Sequence, residues 1–176
     1  MTHESKVFEI DLADENPWGQ LSSGIRSAFT EAAAVMLNLH HNPKISFSGT
    51  WIQNGASTSL SVVWSMPDQV ARDSHGNAKD ATEYGAYAIA IHAVTLLGWK
   101  VLGRLQQGSG GDWYAFDANE GKNMKIEVSG TSEGDAPKAR LNQKIAQAKG
   151  GSNMQGWGGM AFVFHFQDVC ALSEVW

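Results

Sequence analysis

The segment from Ala78 to Leu97 constrains the fold more than any other part of the chain. As a helix, it carries apolar residues on almost every side over Ala86 to Val94. A helix of that kind is buried in the interior of a protein. The polar segment Met66–Lys79 precedes it and is predicted to mark the boundary between two parts of one domain.

The N-terminal part, residues 1–66, is predicted to contain a strand, a helix and a β-hairpin. Apolar and polar residues alternate in the strands, whereas the helix has apolar residues at helical spacing. Pro43 ends the helix, because the residue before a proline is pushed out of the helical region. Asn54 and Gly55 are a turn signal inside the hairpin. The predicted bounds are Val7–Leu12 for the strand, Trp18–His40 for the helix, and Ile45–Ile52 and Ser57–Trp64 for the hairpin.

The residues after the buried helix are predicted to form short strands around a second helix. Asp135 is the predicted N-cap of this helix, which runs to about Lys149. The predicted strands are Lys100–Leu105, Asp112–Phe116, Met124–Val128, Met160–Phe166 and a short edge strand within Val169–Trp176. The sequence therefore predicts one α+β domain over residues 1–176 with a central mixed sheet. Its core, residues 78–167, has the order helix, strand, strand, strand, helix, strand.

The composition limits the function classes that this chain can serve. Its 176 residues, 43% of them hydrophobic, can bury a sizeable core. The net charge of -5 gives no overall attraction to nucleic acid, so such binding needs a local basic patch. The single cysteine, Cys170, excludes an intrachain disulfide and a Cys-rich zinc site. The N-terminus lacks a signal-peptide pattern and the longest apolar stretch is too short to span a bilayer, so we expect a cytoplasmic protein without membrane contact.

Two acidic residues are candidates for a metal site, because they lie on neighbouring predicted strands. Asp112 begins one strand and Glu127 lies in the next, with one tight connection between the strands. Two carboxylates that come this close repel each other unless a cation sits between them. Mg²⁺, or Mn²⁺ in its place, binds one or two carboxylates together with water and substrate phosphate. Glu83, on the core-facing side of the buried helix, is a third candidate ligand.

The second predicted helix is a local basic patch on an acidic protein. It carries Lys138, Arg140, Lys144 and Lys149 and no acidic residue. This pattern suits a surface that contacts phosphate, although a merely solvated surface is the alternative interpretation. Trp157 lies in a glycine-rich loop after the helix and can stack on a nucleic-acid base, with a lid or a simple packing anchor as the alternative roles. We therefore predict Lys138, Arg140 and Trp157 as nucleic-acid contacts.

The order of elements and the two acids resemble the PD-(D/E)xK nuclease superfamily, which includes many restriction endonucleases. The matching residues are Gly-Gly-Asp112-Trp and Ile-Glu127-Val-Ser129-Gly, and Glu83 fits the additional acid that many members carry. The resemblance covers roughly residues 78–167. It implies hydrolysis of phosphodiester bonds, with DNA as the substrate and restriction or phage defence as the context. It also implies that Asp112 and Glu127 hold Mg²⁺ or Mn²⁺.

Two residues depart from the pattern of this superfamily, and the first, Gly111 in place of a proline before Asp112, matters little. Ser129 stands where its members have the lysine that positions or activates the attacking water. The candidates to replace it are Lys125, which flanks Glu127 on the same face of the strand, Lys138 and Lys144. We favour Lys144, because it lies beside the apolar stripe of the second helix and can reach across the sheet edge. The alternative function is a catalytically silent subunit of the same fold that binds a protein or nucleic-acid partner, and a homo-oligomer is compatible with both functions.

A second motif, GTSEG at residues 130–134, has the spacing of the nucleophile elbow of serine hydrolases. The residues that would complete its triad are His165 and Asp168, but they follow in the reverse of the expected order. The chain also lacks the run of parallel strands that this fold requires. A serine hydrolase is therefore disfavoured.

Overall fold

The computed structural model describes residues 7–42, 47–134, 136–151 and 156–176. Over these residues the protein has an α+β structure with one mixed sheet of eight strands and four α-helices. The strands are β1 (Val7–Asp11), β2 (Phe47–Gln53), β3 (Ala56–Val63), β4 (Trp99–Arg104), β5 (Trp113–Asp117), β6 (Lys122–Thr131), β7 (Gly158–His165) and β8 (Cys170–Val175). The helices are α1 (Ser23–His40), α2 (Gln69–Ser74), α3 (Ala78–Leu96) and α4 (Pro137–Gly150).

A single sheet runs through both parts of the chain. Its strands lie in the order β1-β3-β2-β8-β7-β6-β5-β4. The pairs β1 with β3, β2 with β8, and β6 with β7 are parallel, and the other neighbours are antiparallel. The predicted α+β class with a mixed sheet is confirmed, but the sheet is larger than predicted. Strand β8 is an internal strand rather than an edge strand, because it joins β7 to the hairpin strand β2.

The α3 helix is the buried helix that its sequence predicts. Every residue from Gly85 to Val94 is buried. Helix α1 packs along it, and a Cβ atom at Gly85 would lie only 3.0 Å from the Cα atom of Ala33. The glycine therefore permits the close approach of the two helices. Among the described residues, no helix has both the length and the apolar character needed to cross a membrane.

Helices α3 and α4 lie against opposite faces of β6. Gly130 faces α3, where a Cβ atom would lie 2.2 Å from the carbonyl oxygen of Thr82. Glu127 faces α4 and contacts Lys144. Gly130 and Glu127 point to opposite faces because they are three positions apart in the strand. Gly130 thus lets α3 approach the sheet closely, and this gives the first glycine of the GTSEG motif a packing role. The polar side chains of Lys125, Glu127 and Ser129 on β6 face α4.

Helix α1 begins later than predicted, at Ser23. Trp18, the predicted first residue of α1, instead ends a short 3-10 helix, Asn16–Trp18, and Gly19 follows it with a φ angle of 43°. Ser22 then caps α1, because its hydroxyl accepts a hydrogen bond from the Ile25 N–H at 3.3 Å. The capping serine, and not the apolar spacing, determines where the helix starts.

Strand β6 is longer than predicted, since it is paired along both sides. Strand β5 pairs with its first half and β7 pairs with nearly its whole length. The apolar pattern at Met124–Val128 predicts its centre and misses its ends. The predicted N-cap Asp135 and the predicted strand start at Ile45 lie outside the described residues.

The histidine of α3, His92, is buried in the core. Its ring meets the Trp18 ring nearly edge-on, with the ring centroids 5.9 Å apart. Its Nε2 atom has no hydrogen-bond partner among the described residues. Burial lowers the pKa of His92 from its usual 6.5 to about 4, against the smaller opposing effects of Asp14 and Asp11. The imidazole is therefore neutral in the folded protein at neutral pH.

We predict that His92 makes the fold sensitive to acid. The neutral imidazole contributes fully to the free energy of unfolding above pH 6.5, and this contribution is lost as the pH falls through about 4. The reason is that the unfolded chain takes up a proton that the folded chain excludes. The total loss is about 3 kcal/mol. Urea unfolding of the wild type and of His92→Phe across this range measures it. The difference between the two free energies of unfolding should change by that amount, and a difference that is independent of pH contradicts the prediction.

Candidate active site

Asp112 is held firmly between β4 and β6, directly before the start of β5. Its backbone N–H donates to the carbonyl of Ile126 at 2.8 Å, and its carbonyl accepts from the N–H of Leu105 at 3.0 Å. Its side chain is equally constrained, because Oδ1 accepts from the Tyr87 hydroxyl at 3.1 Å and Oδ2 accepts from the Val128 N–H at 2.9 Å. The carboxylate therefore has one fixed orientation beside the centre of β6.

Glu127 is a buried carboxylate in the middle of β6, with 2% of its surface exposed. Its Oε1 atom accepts a hydrogen bond from Lys144 Nζ on α4 at 2.6 Å. Burial raises the pKa of the Glu127 carboxyl, and the nearby charges of Asp112 and Glu83 raise it further, while the Lys144 amine acts in the opposite direction. Asp112 and Glu127 are thus close enough to repel each other, as their positions on neighbouring strands predict.

Three polar contacts join β6 to α4 at regular intervals along the strand. They pair Lys125 Nζ with the carbonyl of Ala148, Glu127 with Lys144, and the hydroxyl of Ser129 with Arg140 Nε. Each step of two residues along the strand advances about 6.6 Å. Each step of four residues back along the helix covers about 6.0 Å. Because the two repeats nearly match, all three contacts form along the same strand and helix. Together they determine that Lys144 is the helix residue that meets Glu127.

The contacts between β6 and α4 distinguish the lysines that could replace the one missing at Ser129. Lys144 reaches Glu127, whereas the buried amine of Lys125 donates to a backbone carbonyl at the end of α4. Arg140 donates to Ser129 at 2.8 Å, so a cation from α4 lies beside the serine that replaces the lysine. Lys138 is exposed on the same helix.

The basic helix is therefore only partly a free surface. Lys149 pairs with Glu174 at 3.6 Å and lies over the ring of Trp176, 4.8 Å from its centroid. Together with Arg140 and Lys144, it directs positive charge towards the sheet. Exposed positive charge remains at Lys138 and on the part of the Arg140 guanidinium that faces away from β6.

Tyr87 connects two of the predicted acids and is a site residue that the sequence did not reveal. Its hydroxyl lies 2.7 Å from Glu83 Oε1 and 3.1 Å from Asp112 Oδ1. Burial and these two carboxylates raise the pKa of Tyr87, so the hydroxyl keeps its proton. Glu83 itself is exposed, so its predicted place on the core-facing side of α3 is wrong, and it is linked to Asp112 through this tyrosine. The available signal was the spacing of four residues from Glu83, which places both side chains on one helix face.

Arg104, at the end of β4, is a second site residue that the sequence did not reveal. Its guanidinium carbon lies 4.9 Å from the centre of the Tyr87 ring and 4.8 Å from the centre of the Trp113 ring. Stacking on two aromatic rings holds a cation without neutralising it. Positive charge therefore lies directly beside the tyrosine that binds Asp112.

Asp112 and Glu127 line the same cleft, which we call the acidic cleft. It has a volume of about 430 Å³ and is also lined by Gly110, Gly111, Gln147 and Gly151. A Cβ atom at Gly151 would lie 2.4 Å from the Cα atom of Gly110. The loop before β5 thus rests backbone against backbone on the end of α4, and the glycines close one end of the cleft.

The donor atoms in the acidic cleft fit a hard divalent cation. Asp112 and Glu127 supply carboxylate oxygens, and Glu127 Oε2 accepts no hydrogen bond from a described residue. Mg²⁺ needs one or two carboxylates and completes its shell with water. Within the described ranges, no group of three or more His, Cys, Asp or Glu side chains is arranged to hold a metal. Since Tyr87 stands between Glu83 and Asp112, a metal would be held by Asp112 and Glu127.

Comparison of the chain with protein-family models, with curated proteins and with solved structures finds no match. The resemblance to the PD-(D/E)xK superfamily therefore depends on the residues around Asp112, Glu127 and Ser129.

We predict that removal of the Lys144 amine destabilises the protein in a pH-dependent way. Lys144→Met leaves Glu127 buried without its cation, which costs about 3 kcal/mol at neutral pH. A raised carboxyl pKa means that stability is present at low pH and is lost as the pH rises through the folded pKa. The loss should therefore shrink as the pH falls below neutral and Glu127 takes up a proton. Urea unfolding at neutral pH and at an acidic pH measures it.

The double variant Lys144→Met with Glu127→Gln is the matched control for this prediction. It removes both charges, so its stability at neutral pH should exceed that of Lys144→Met alone. An equal loss of stability at both pH values, or no recovery in the double variant, would show that the pair does not hold a buried charge.

Proposed function

We propose that this protein is a metal-dependent endonuclease that hydrolyses phosphodiester bonds, with DNA as its substrate. The observation that carries the proposal is the amine of Lys144 on the buried carboxylate of Glu127, in a cleft that Asp112 also lines. A lysine beside two acids is the residue that the sequence pattern lacks at Ser129. Helix α4 supplies it from outside the strand.

Each of the three residues has a distinct chemical role in this proposal. Asp112 and Glu127 would hold Mg²⁺ or Mn²⁺, which supplies Lewis-acid stabilisation of the negative charge that develops on the phosphate. The Nζ atom of Lys144 donates a hydrogen bond to Glu127. Such a donor can orient the attacking water and stabilise negative charge in the cleft.

The neighbours of these residues keep the carboxylates in place. Tyr87 shares its one hydroxyl proton between Glu83 and Asp112, and the Val128 N–H holds the other oxygen of Asp112. Glu83 acts through Tyr87 and assists as a positioning residue rather than as a direct ligand. Arg104 stacks on Tyr87 and places a positive charge where a phosphate would approach.

Contact with the nucleic-acid backbone is assigned to the exposed charges of α4. Lys138 is exposed, and Arg140 uses Nε for Ser129 and Nη1 for Gln143. The remaining guanidinium donors of Arg140 can bind phosphate oxygens. A role in restriction or phage defence is the context that the superfamily resemblance implies.

A catalytically silent subunit of the same fold is the second candidate. Both oxygens of Asp112 accept hydrogen bonds from the protein, and Lys144 already pairs with Glu127. Carboxylates that are satisfied in this way can be purely structural. In that case, the protein would bind a protein or nucleic-acid partner and would not cleave DNA.

A cleavage assay tests the proposal against this alternative. The wild type should cleave plasmid or single-stranded DNA with Mg²⁺ or Mn²⁺ and should be inactive with EDTA. Asp112→Asn and Lys144→Met should each lower the rate by about 100-fold or more. Lys149→Met is the matched control and should retain activity, because Lys149 lies on the same helix but contacts Glu174 and Trp176 instead of Glu127. RNA serves as a second substrate that measures selectivity.

The nuclease proposal fails if no nucleic acid is cleaved under any of these conditions, or if Asp112→Asn cleaves as fast as the wild type. A pull-down with the wild type should accompany the assay. A captured partner that does not restore cleavage supports the silent subunit.

A further inference from the structure

A second cleft lies beside the acidic cleft and contains the predicted base-stacking residue. It has a volume of about 500 Å³. Its lining includes Arg104, Gln106, Gln107, Gly108, Tyr114 and Trp157. We call it the aromatic cleft. Gln107 and Gly108 also line the acidic cleft, so the two clefts meet at this loop.

Two partly exposed aromatic rings, those of Tyr114 and Trp157, line one side of this cleft. The ring centroids of Tyr114 and Trp157 are 6.3 Å apart, and the ring planes are inclined by 47°. Both residues are only partly buried. Rings that pack for stability alone are usually covered, whereas partly covered rings in a cleft offer a face to a flat ligand.

The backbone of β4 sets the position of Tyr114. The pairing of β4 with β5 shifts register between Val101 and Gly103. A Cβ atom at Gly103 would lie 2.8 Å from Tyr114 Cε1, so the ring lies directly over the bare glycine backbone. The absence of a side chain at Gly103 thus lets Tyr114 lie flat along the cleft wall.

The charge and polarity of the aromatic cleft select among flat ligands. Arg104 lines it and also stacks on Tyr87, which binds Asp112 of the acidic cleft. Arginine at this junction suits a phosphate that lies between the two clefts. Gln106 and Gln107 add amide donors and acceptors, which match the polar edge of a nucleobase.

From this arrangement we propose that the aromatic cleft binds an unpaired nucleobase of the same strand whose phosphate enters the acidic cleft. The base lies against Trp157 and Tyr114, and Arg104 binds the phosphate between the clefts. A paired base has its faces covered by its stacked neighbours, so this contact requires a single-stranded or flipped-out nucleotide. The proposal deepens the proposed nuclease function and rests on it for the substrate class.

Fluorescence anisotropy in EDTA tests this inference, because binding is then measured without cleavage. The probes are a labelled single-stranded DNA of about 12 nucleotides, an RNA of the same sequence, and the matching DNA duplex. The wild type should prefer the single strands to the duplex. Trp157→Ala should weaken single-strand binding by about 5- to 100-fold, the loss expected for one stacked base. Trp157→Phe, which keeps a flat ring, should largely retain binding.

Phe116→Ala is the matched control, because Phe116 is an exposed ring on the same strand as Tyr114 and lies outside the cleft. It should bind like the wild type. Circular dichroism checks that each variant is folded, and Tyr114→Leu carries the same test if Trp157→Ala does not fold. Unchanged single-strand binding in the folded variant overturns the inference. So does a duplex that binds as tightly as the single strand, and so does the absence of binding to all three probes.

The inference and the nuclease proposal fail in different ways. Binding that depends on Trp157, without cleavage by the wild type in Mg²⁺ or Mn²⁺, leaves the base site standing and overturns the nuclease. Cleavage that depends on Asp112, with binding and KM unchanged in Trp157→Ala, leaves the nuclease standing and overturns the base site.

Discussion

The candidate site depends on one buried ion pair, the Glu127 carboxylate and the Lys144 amine 2.6 Å from it. The Lys144 side chain is 14% exposed and that of Glu127 is 2% exposed, so water does little to solvate either charge. Such a pair adds little net stability, because the cost of removing both charges from water offsets their attraction. A pair of apolar side chains would join β6 to α4 at least as well. Glu127 of the ion pair lines the same cleft as Asp112, and this location favours a chemical role for the pair over a purely structural one.

The geometry of β6 and α4 gives that pair its surroundings. The strand repeat and the helix repeat nearly coincide, so the contacts on either side of Glu127 hold the helix in register. Ser129 takes part in this register through Arg140. A serine at this position thus need not mean that positive charge is lost from the site, since α4 brings two cations to the same face of the strand.

Local patterns in the sequence predicted much of this arrangement. Asp112 directly precedes β5 and Glu127 lies in β6, and a short connection joins these two strands, so the proximity of the two acids follows from an ordinary hairpin. Lys144 was favoured because of its place beside the apolar stripe of its helix. The buried character of α3 and the mixed sheet also followed from periodicity and element order.

What the sequence did not predict are mainly contacts between distant segments. Arg104 and Tyr87 meet because β4 packs beside α3, and no local pattern encodes that contact. The pairing of β8 with β2 joins residues such as Cys170 and Thr50 that are far apart in the chain. Spacing also could not reveal that Tyr87 stands between Glu83 and Asp112, since periodicity gives the face of a helix but not the partner that it meets.

Titration with Mn²⁺ measures whether Asp112 and Glu127 form one cation site beside Lys144. Electron paramagnetic resonance measures the free ion and does not depend on any substrate. We expect a single site in the wild type that is lost or greatly weakened in both Asp112→Asn and Glu127→Gln. Absence of binding in the wild type, or binding that survives both substitutions, would contradict it.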